Sequence, residues 1–162
     1  YEVTEQNEER MREGRLASIR AYQDLLSHPE AEQRAMAQAI IEQHDRLRAS
    51  RAFEYGETHV NLRELPNARM MFGYSNFWAS IDARDSAQAI ELGLLRDYDG
   101  SHPLWVNDSH NSAGVPTQTL AGLFYPDVPL KRSLVGTETL VSIDKARELL
   151  GFEPEYSISR WF

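Results

Sequence analysis

The 162-residue chain carries 17 Lys+Arg against 25 Asp+Glu, a formal net charge of −8 at pH 7, with 41% hydrophobic and 26% charged residues. This is the composition of a globular protein long enough for one domain or two small ones, with no apolar run near the roughly 18 residues of a membrane span and an acidic balance that disfavours nucleic-acid backbone. Zero cysteines exclude disulfides, thiolate metal sites and a Cys nucleophile; together with a polar, acidic opening that lacks a secretory signal, they fit a reducing compartment, the cytoplasm.

From Thr4 to about Ser50 the chain reads as a helical hairpin. Met11, Leu16, Ile19, Tyr22 and Leu26 recur at three- to five-residue steps and line one face. Gly14 is a weak point in that helix, worth up to about 1 kcal/mol. Ser27-His28-Pro29-Glu30 carries a stop and a restart: Ser27 is suited to cap the next helix, Glu30 to close a capping box, and Pro29 to sit in a first turn. The second helix places Met36, Ile40, His44 and Leu47 on one face. Glu42, His44 and Asp45 invite a metal reading, but only Glu42 and Asp45 share a face and no Glu-x-x-His pair is present, so no metal is expected and His44 is expected to pack at the hairpin seam.

After Ala52 the texture changes to short apolar runs divided by Gly, Pro, Asn and Asp. Phe77–Ile81 reads as a buried strand and Leu104–Val106 as a second, with Trp78 and Trp105 in the core. Asp85 is expected to cap a helix running from Ser86 to about Arg96, with Gln88 as box partner. A polar loop, 107–114, precedes a short helix from about Thr117 to Phe124. Ser142 caps a last helix whose Ala146, Leu149 and Leu150 face inward, and Gly151 stands where a left-handed C′ residue is favoured. The expected fold is therefore α/β and α-rich: a helical hairpin over residues 1–53, then a small α/β subdomain over 54–162.

Residues 77–89 (Phe-Trp-Ala-Ser-Ile-Asp-Ala-Arg-Asp-Ser-Ala-Gln-Ala) resemble a stretch of the NAD-dependent epimerases and dehydratases, the extended short-chain dehydrogenases, many of which act on nucleotide sugars. The resemblance continues through 106–111 (Val-Asn-Asp-Ser-His-Asn) and 124–129 (Phe-Tyr-Pro-Asp-Val-Pro). It ends at 142–154 (Ser-Ile-Asp-Lys-Ala-Arg-Glu-Leu-Leu-Gly-Phe-Glu-Pro), similar to the family's closing helix and exit. It covers roughly residues 54–162, the substrate-side portion, and implies NAD or NADP as the cofactor of a complete enzyme. The parts that would hold that cofactor are missing from this sequence. Glycines at 14, 56, 73, 93, 100, 114, 122, 136 and 151 never make the Gly-rich turn that lets a pyrophosphate approach a helix N-terminus. The family's catalytic Tyr has a Lys four residues on, which lowers the phenol's pKa; here the only lysines are Lys131 and Lys145, and no Tyr precedes either at that spacing. The chain alone is expected to bind no nicotinamide. It reads either as a fragment or as a natural descendant in which the hairpin replaced the nucleotide-binding half; the start at Tyr1 rather than Met favours a fragment or processed chain.

The candidate substrate-binding residues are Asp82 and Arg84 beside a strand end, and Asn107, His110 and Asn111 in the polar loop. His110 is the one candidate for proton transfer, with an ordinary pKa of roughly 6.5. Against this, Arg84 is suited to pair with Asp82 or solvent, and the loop to be a solvated turn. Where many relatives carry a phosphate-gripping Arg before the first strand, this chain has Asn76 and Phe77, and Arg69 would replace it only if the intervening loop folded back. Three functional readings follow. In the first, the chain is the substrate-side portion of an oxidoreductase acting on a sugar-like alcohol or ketone. In the second, it is a noncatalytic interaction module whose hairpin pairs with a second copy, giving a homo-oligomer. In the third, a nicotinamide-independent lyase or isomerase uses His110, Asp82, Arg84, Glu57 and His59. The aromatic terminus, Trp161 and Phe162, is expected to dock on this chain or a partner.

Overall fold

The computed structural model describes residues 5–50 and 65–161. The proposed 53/54 boundary, Glu57, His59, Phe162 and the side chain of Trp161 lie outside the residues described. Helix α1 (Glu5–Ser27) and helix α2 (Glu30–Ala49) form the expected hairpin. They are followed by α3 (Ala68–Ser75), α4 (Ala83–Leu95), α5 (Thr117–Phe124), α6 (Asp144–Leu150) and a terminal 3₁₀ turn, Ile158–Trp161. No helix among the described residues is long and apolar enough to cross a membrane.

The turn between the two long helices is made differently from the sequence expectation. Ser27 does not cap α2: its hydroxyl donates to the Asp24 carbonyl within α1, 2.7 Å away. Gln33 instead reaches back from α2, its Nε2 donating to the carbonyls of Leu26 (3.0 Å) and His28 (2.7 Å). One side chain thus satisfies two carbonyls that the end of α1 leaves without helical partners.

The α/β expectation is corrected: the described residues form helices and loops, with no strand. The reason lies at Phe77 and Trp78, the first residues of the expected first strand. Both have left-handed backbones, φ 58° and 53°. Phe77 N–H donates to the Tyr74 carbonyl (3.2 Å) and Trp78 N–H to that of Gly73 (2.8 Å), the paired bonds of a Schellman helix stop. The segment therefore closes α3 before it can extend. Further on it meets the polar loop through only two backbone bonds, Asp108 N–H to Ser80 O at 2.7 Å and Ser112 N–H to Trp78 O at 2.8 Å. Leu104–Val106 belongs to no strand, and Trp105, expected in the core, is 72% exposed. The remaining strand-like contact is an isolated antiparallel bridge between His110 and Glu138.

Helix α4 begins a turn earlier than expected. Asp82, not Asp85, is its N-cap, accepting the backbone N–H of Arg84 at 3.0 Å. The last helix follows the sequence more closely, except that its N-cap is Ile143 and Ser142, one residue ahead, accepts Asp144 N–H at 3.2 Å; Ala146 and Leu150 are buried, Leu149 is half-buried, and Gly151 has φ 71°.

Two apolar clusters hold these elements. The larger takes Tyr22 and Leu25 from α1, Ala37 and Ile40 from α2, Met70 and Met71 from α3, Leu120 and Phe124 from α5, and Trp78. The hairpin thus packs its apolar face on α3, α5 and Trp78 of the same chain. His44 packs edge-on against Tyr74 of α3, ring centroids 5.1 Å apart. The smaller cluster joins Ala89 of α4 to Ile143, Ala146, Leu150 and Phe152 around α6.

At the centre of the larger cluster the Tyr22 hydroxyl accepts the Trp78 indole N–H at 2.6 Å and donates to the Met70 carbonyl at 3.0 Å. Burial pushes the Tyr22 phenol far above its usual range, so it stays protonated. Gly73 lies against this pair: a Cβ there would come within 2.5 Å of the Tyr22 oxygen and 2.7 Å of the Trp78 ring. Both neighbours are fully buried and have nowhere to move. Gly73→Ala is expected to destabilise the fold by about 1–3 kcal/mol, read as a fall in thermal midpoint; an unchanged midpoint would refute this packing.

Candidate functional site

The expected binding residues do not converge on one point: Asp82 and Arg84 stand at the N-terminus of α4, whereas Asn107, His110 and Asn111 bond within the polar loop and to residues 137–141. At the surface, Asp82 and Arg84 make a bidentate pair, with Arg84 Nε and Nη2 2.9 and 3.0 Å from the two carboxylate oxygens. Arg160 of the terminal turn approaches the same carboxylate at 3.7 Å. The Arg84 guanidinium also lies over the Tyr156 ring, 3.6 Å from its centroid, a cation–π contact. The hydrogen bond from Arg84 dominates in pulling the Asp82 carboxyl down to about 2 from an ordinary 3.8, helped by the backbone bond and by the charge of Arg15 on α1.

Two buried carboxylates nearby fasten the C-terminal segment to the rest. Asp85 accepts the backbone N–H groups of Glu155 (2.9 Å) and Tyr156 (3.2 Å). Asp108 accepts from His110 N–H (2.8 Å), the Ser157 hydroxyl (3.0 Å) and Ile158 N–H (2.5 Å). Both are nearly inaccessible, at 2% and 4% exposure. Paired donors offset the desolvation that would otherwise expel a buried charge.

The polar loop is neither solvated nor open. Asn111 is fully buried; its amide donates to the Val115 carbonyl and the Thr117 hydroxyl, and its oxygen accepts from Ala113 and Gly114 N–H. Asn107 is buried too, its amide donating to the Asp108 and Val141 carbonyls. The Asn107 Oδ1 has no partner among the described residues. His110 is half-buried, with Nδ1 2.8 Å from the Thr137 hydroxyl. These side chains organise the loop from within. Arg69 is engaged elsewhere, donating to the Gly14 carbonyl of α1 at 2.9 Å.

An accessible hollow lies on the other side of the same loop, against α1. A cavity of about 330 Å³ is bounded by Met11, Gly14, Arg15 and Ser18 of α1, by Ser80 and Ser112, and by Ile158. None of the three serine hydroxyls, nor the Arg15 guanidinium, has a hydrogen-bond or ion-pair partner among the described residues. The expectation from sequence missed these four residues. Serines carry no spacing signal, and nothing in a helical hairpin announces that one of its faces will border residues 65 positions further on.

The described residues contain no group of three or more His, Asp or Glu placed to hold a metal ion. Comparison with known protein families, with characterised proteins and with solved structures finds no match.

The Asp82–Arg84 pair gives a pH-dependent contribution with a defined sign. Because the folded-state carboxyl titrates at about 2 rather than 3.8, the pair stabilises the fold above the unfolded value and loses that contribution as pH falls through the folded one. Urea titrations of wild type and Asp82→Asn are expected to differ most above about pH 5 and to converge towards pH 2. A constant difference across that range would refute the depressed carboxyl.

Proposed function

We propose that this chain is the substrate-side portion of an NAD-dependent epimerase/dehydratase-type protein, working in a reducing compartment on a sugar-like alcohol or ketone. The observation that carries the reading is the cavity beside the Asp82–Arg84 pair. Of the segments whose sequence resembles that family, residues 77–89 border it through Ser80, and Ser112 follows directly on residues 106–111. Three serines and Arg15, whose side-chain polar groups have no described partner, line it with Met11 and Ile158, and the larger part of the surface it exposes is apolar. That mixture suits a polyhydroxylated ring: hydroxyl groups meet serines while the ring's C–H face lies on apolar side chains. At about 330 Å³ the space is at the lower end of small-molecule sites, roughly 300–1,000 Å³, and matches a single ring better than a dinucleotide.

The catalytic step itself is not assigned to this chain. Hydride exchange with a sugar carbon needs a bound nicotinamide and an activated proton acceptor, and the sequence contains neither the Gly-rich turn nor the Tyr–Lys pair. Tyr74 and Tyr125 do not substitute: burial raises both phenols above their ordinary value, against the direction a phenolate base requires. His110, half-buried and hydrogen-bonded to Thr137, is the one imidazole within the loop, but the cavity is bordered by its neighbour Ser112 instead.

Calorimetric titration of the chain with NAD and NADP is expected to give no saturable heat; micromolar binding would overturn the division of labour proposed here. In two-dimensional amide spectra, a panel of neutral, acidic and phosphorylated monosaccharides is expected to shift Ser18, Ser80, Ser112 and Ile158 with at least one member. Silence across the panel would overturn the sugar-like substrate.

A further inference from the structure

We propose that the cavity takes a ligand bearing an oxyanion, a carboxylate or a phosphate monoester, and that Arg15 is its counter-ion. The sugar-like body of that ligand rests on the function proposed above; the negative charge does not. Three guanidinium groups collect in this region, from Arg15, Arg84 and Arg160, and they are not equivalent. Arg84 holds Asp82 through both oxygens and lies on Tyr156, and Arg160 approaches the same carboxylate. Arg15 borders the cavity, half-buried, with no ion pair or hydrogen bond among the described residues.

The described carboxylates of this region are already engaged. Asp82 accepts from Arg84's backbone and side chain and faces Arg160. Arg15 is near enough to help lower its pKa, yet no ion pair joins the two. Asp85 and Asp108 are turned to the backbone N–H groups of residues 155, 156 and 158. A half-buried guanidinium deprived of part of its hydration, with several N–H donors in one plane, favours a planar or tetrahedral oxyanion over a neutral group. Ser18 is one turn along α1 from Arg15, on the same face, and its hydroxyl can donate to the same anion. Ser80 and Ser112 then remain for the uncharged part of the ligand.

The test uses amide spectra of the full 162-residue chain titrated with four probes: glucose, glucuronate, glucose 6-phosphate and inorganic phosphate. Saturable shifts at Gly14, Ser18, Ser80 and Ile158 with glucuronate or glucose 6-phosphate, far weaker with glucose, are expected; whichever acidic probe binds tighter names the oxyanion. Arg15→Gln is expected to weaken that binding roughly 10- to 100-fold, while Arg15→Lys, which keeps the charge, retains most of it. Circular dichroism confirms that both variants are folded. Glucose binding as tightly as the acidic sugars, or Arg15→Gln binding as tightly as wild type, would overturn the role of Arg15 and leave the sugar-like reading standing. Inorganic phosphate binding as tightly as glucose 6-phosphate would support the oxyanion site and count against the sugar-like body. No binding by any probe would overturn the site.

Discussion

The indole of Trp78 ties together parts of the chain that would otherwise be separate. Its N–H reaches the Tyr22 hydroxyl on α1, and that hydroxyl in turn donates to α3 at Met70. Its ring packs edge-on against Phe124 of α5, centroids 5.2 Å apart. Its backbone N–H closes α3, and its carbonyl receives Ser112 N–H from the polar loop. Two consecutive left-handed residues, Phe77 and Trp78, are the conformational cost. A left-handed backbone costs an ordinary residue of order 1 kcal/mol or more, and burial of a whole indole together with its hydrogen bond offsets it.

The placement of the candidate site follows from that tie. Because Trp78 is held under α1, the next residues run past the α1 surface, and Ser80 comes to face Arg15 and Ser18. The loop bonded to Trp78 and Ser80 brings Ser112 to the same place. The C-terminal segment completes the wall with Ile158, and it is fixed by charge rather than by apolar packing alone: Asp85 and Asp108 accept its backbone N–H groups in a setting that excludes water. The same two carboxylates keep Tyr156 under Arg84 and Arg160 near Asp82. Removing either would leave buried donors unpaired, so the surface charge arrangement and the buried fasteners form one unit.

The polar residues of the loop show how a sequence signal divides between structure and function. Asn107, Asp108, His110 and Asn111 stand out because their side chains hydrogen-bond readily, which suits a solvated turn, a binding loop or an internal scaffold equally well. Here Asn111 satisfies both ends of its amide within the loop and its surroundings, and Asp108 bridges to the terminal segment. Composition reveals such residues; it does not reveal which way they face. The serines on the accessible side show the converse, being too common to be noticed until the fold places them on one cavity.

The sequence by itself determined the local structure whose causes are local. The 3.6-residue apolar period of α1 and α2, the short helix from Thr117 to Phe124 and the left-handed Gly151 all depend on neighbours within a turn or two. The lack of a Gly-rich turn and a Tyr–Lys pair is likewise visible by inspection, and so bears directly on the proposed function. What only tertiary structure decided is everything that depends on a distant partner. Phe77–Ile81 has the composition of a strand, but a ladder needs a second strand, and the competing bonds at the end of α3 were nearer. Trp105 is apolar enough for a core, yet no element among the described residues buries it. Asp85 has the chemistry of a cap; with Asp82 already in that role, its carboxylate is turned to a chain segment 70 residues away. Arg15 reads as one charge among many on a helix, and becomes distinctive only where α1 meets Ser80, Ser112 and Ile158.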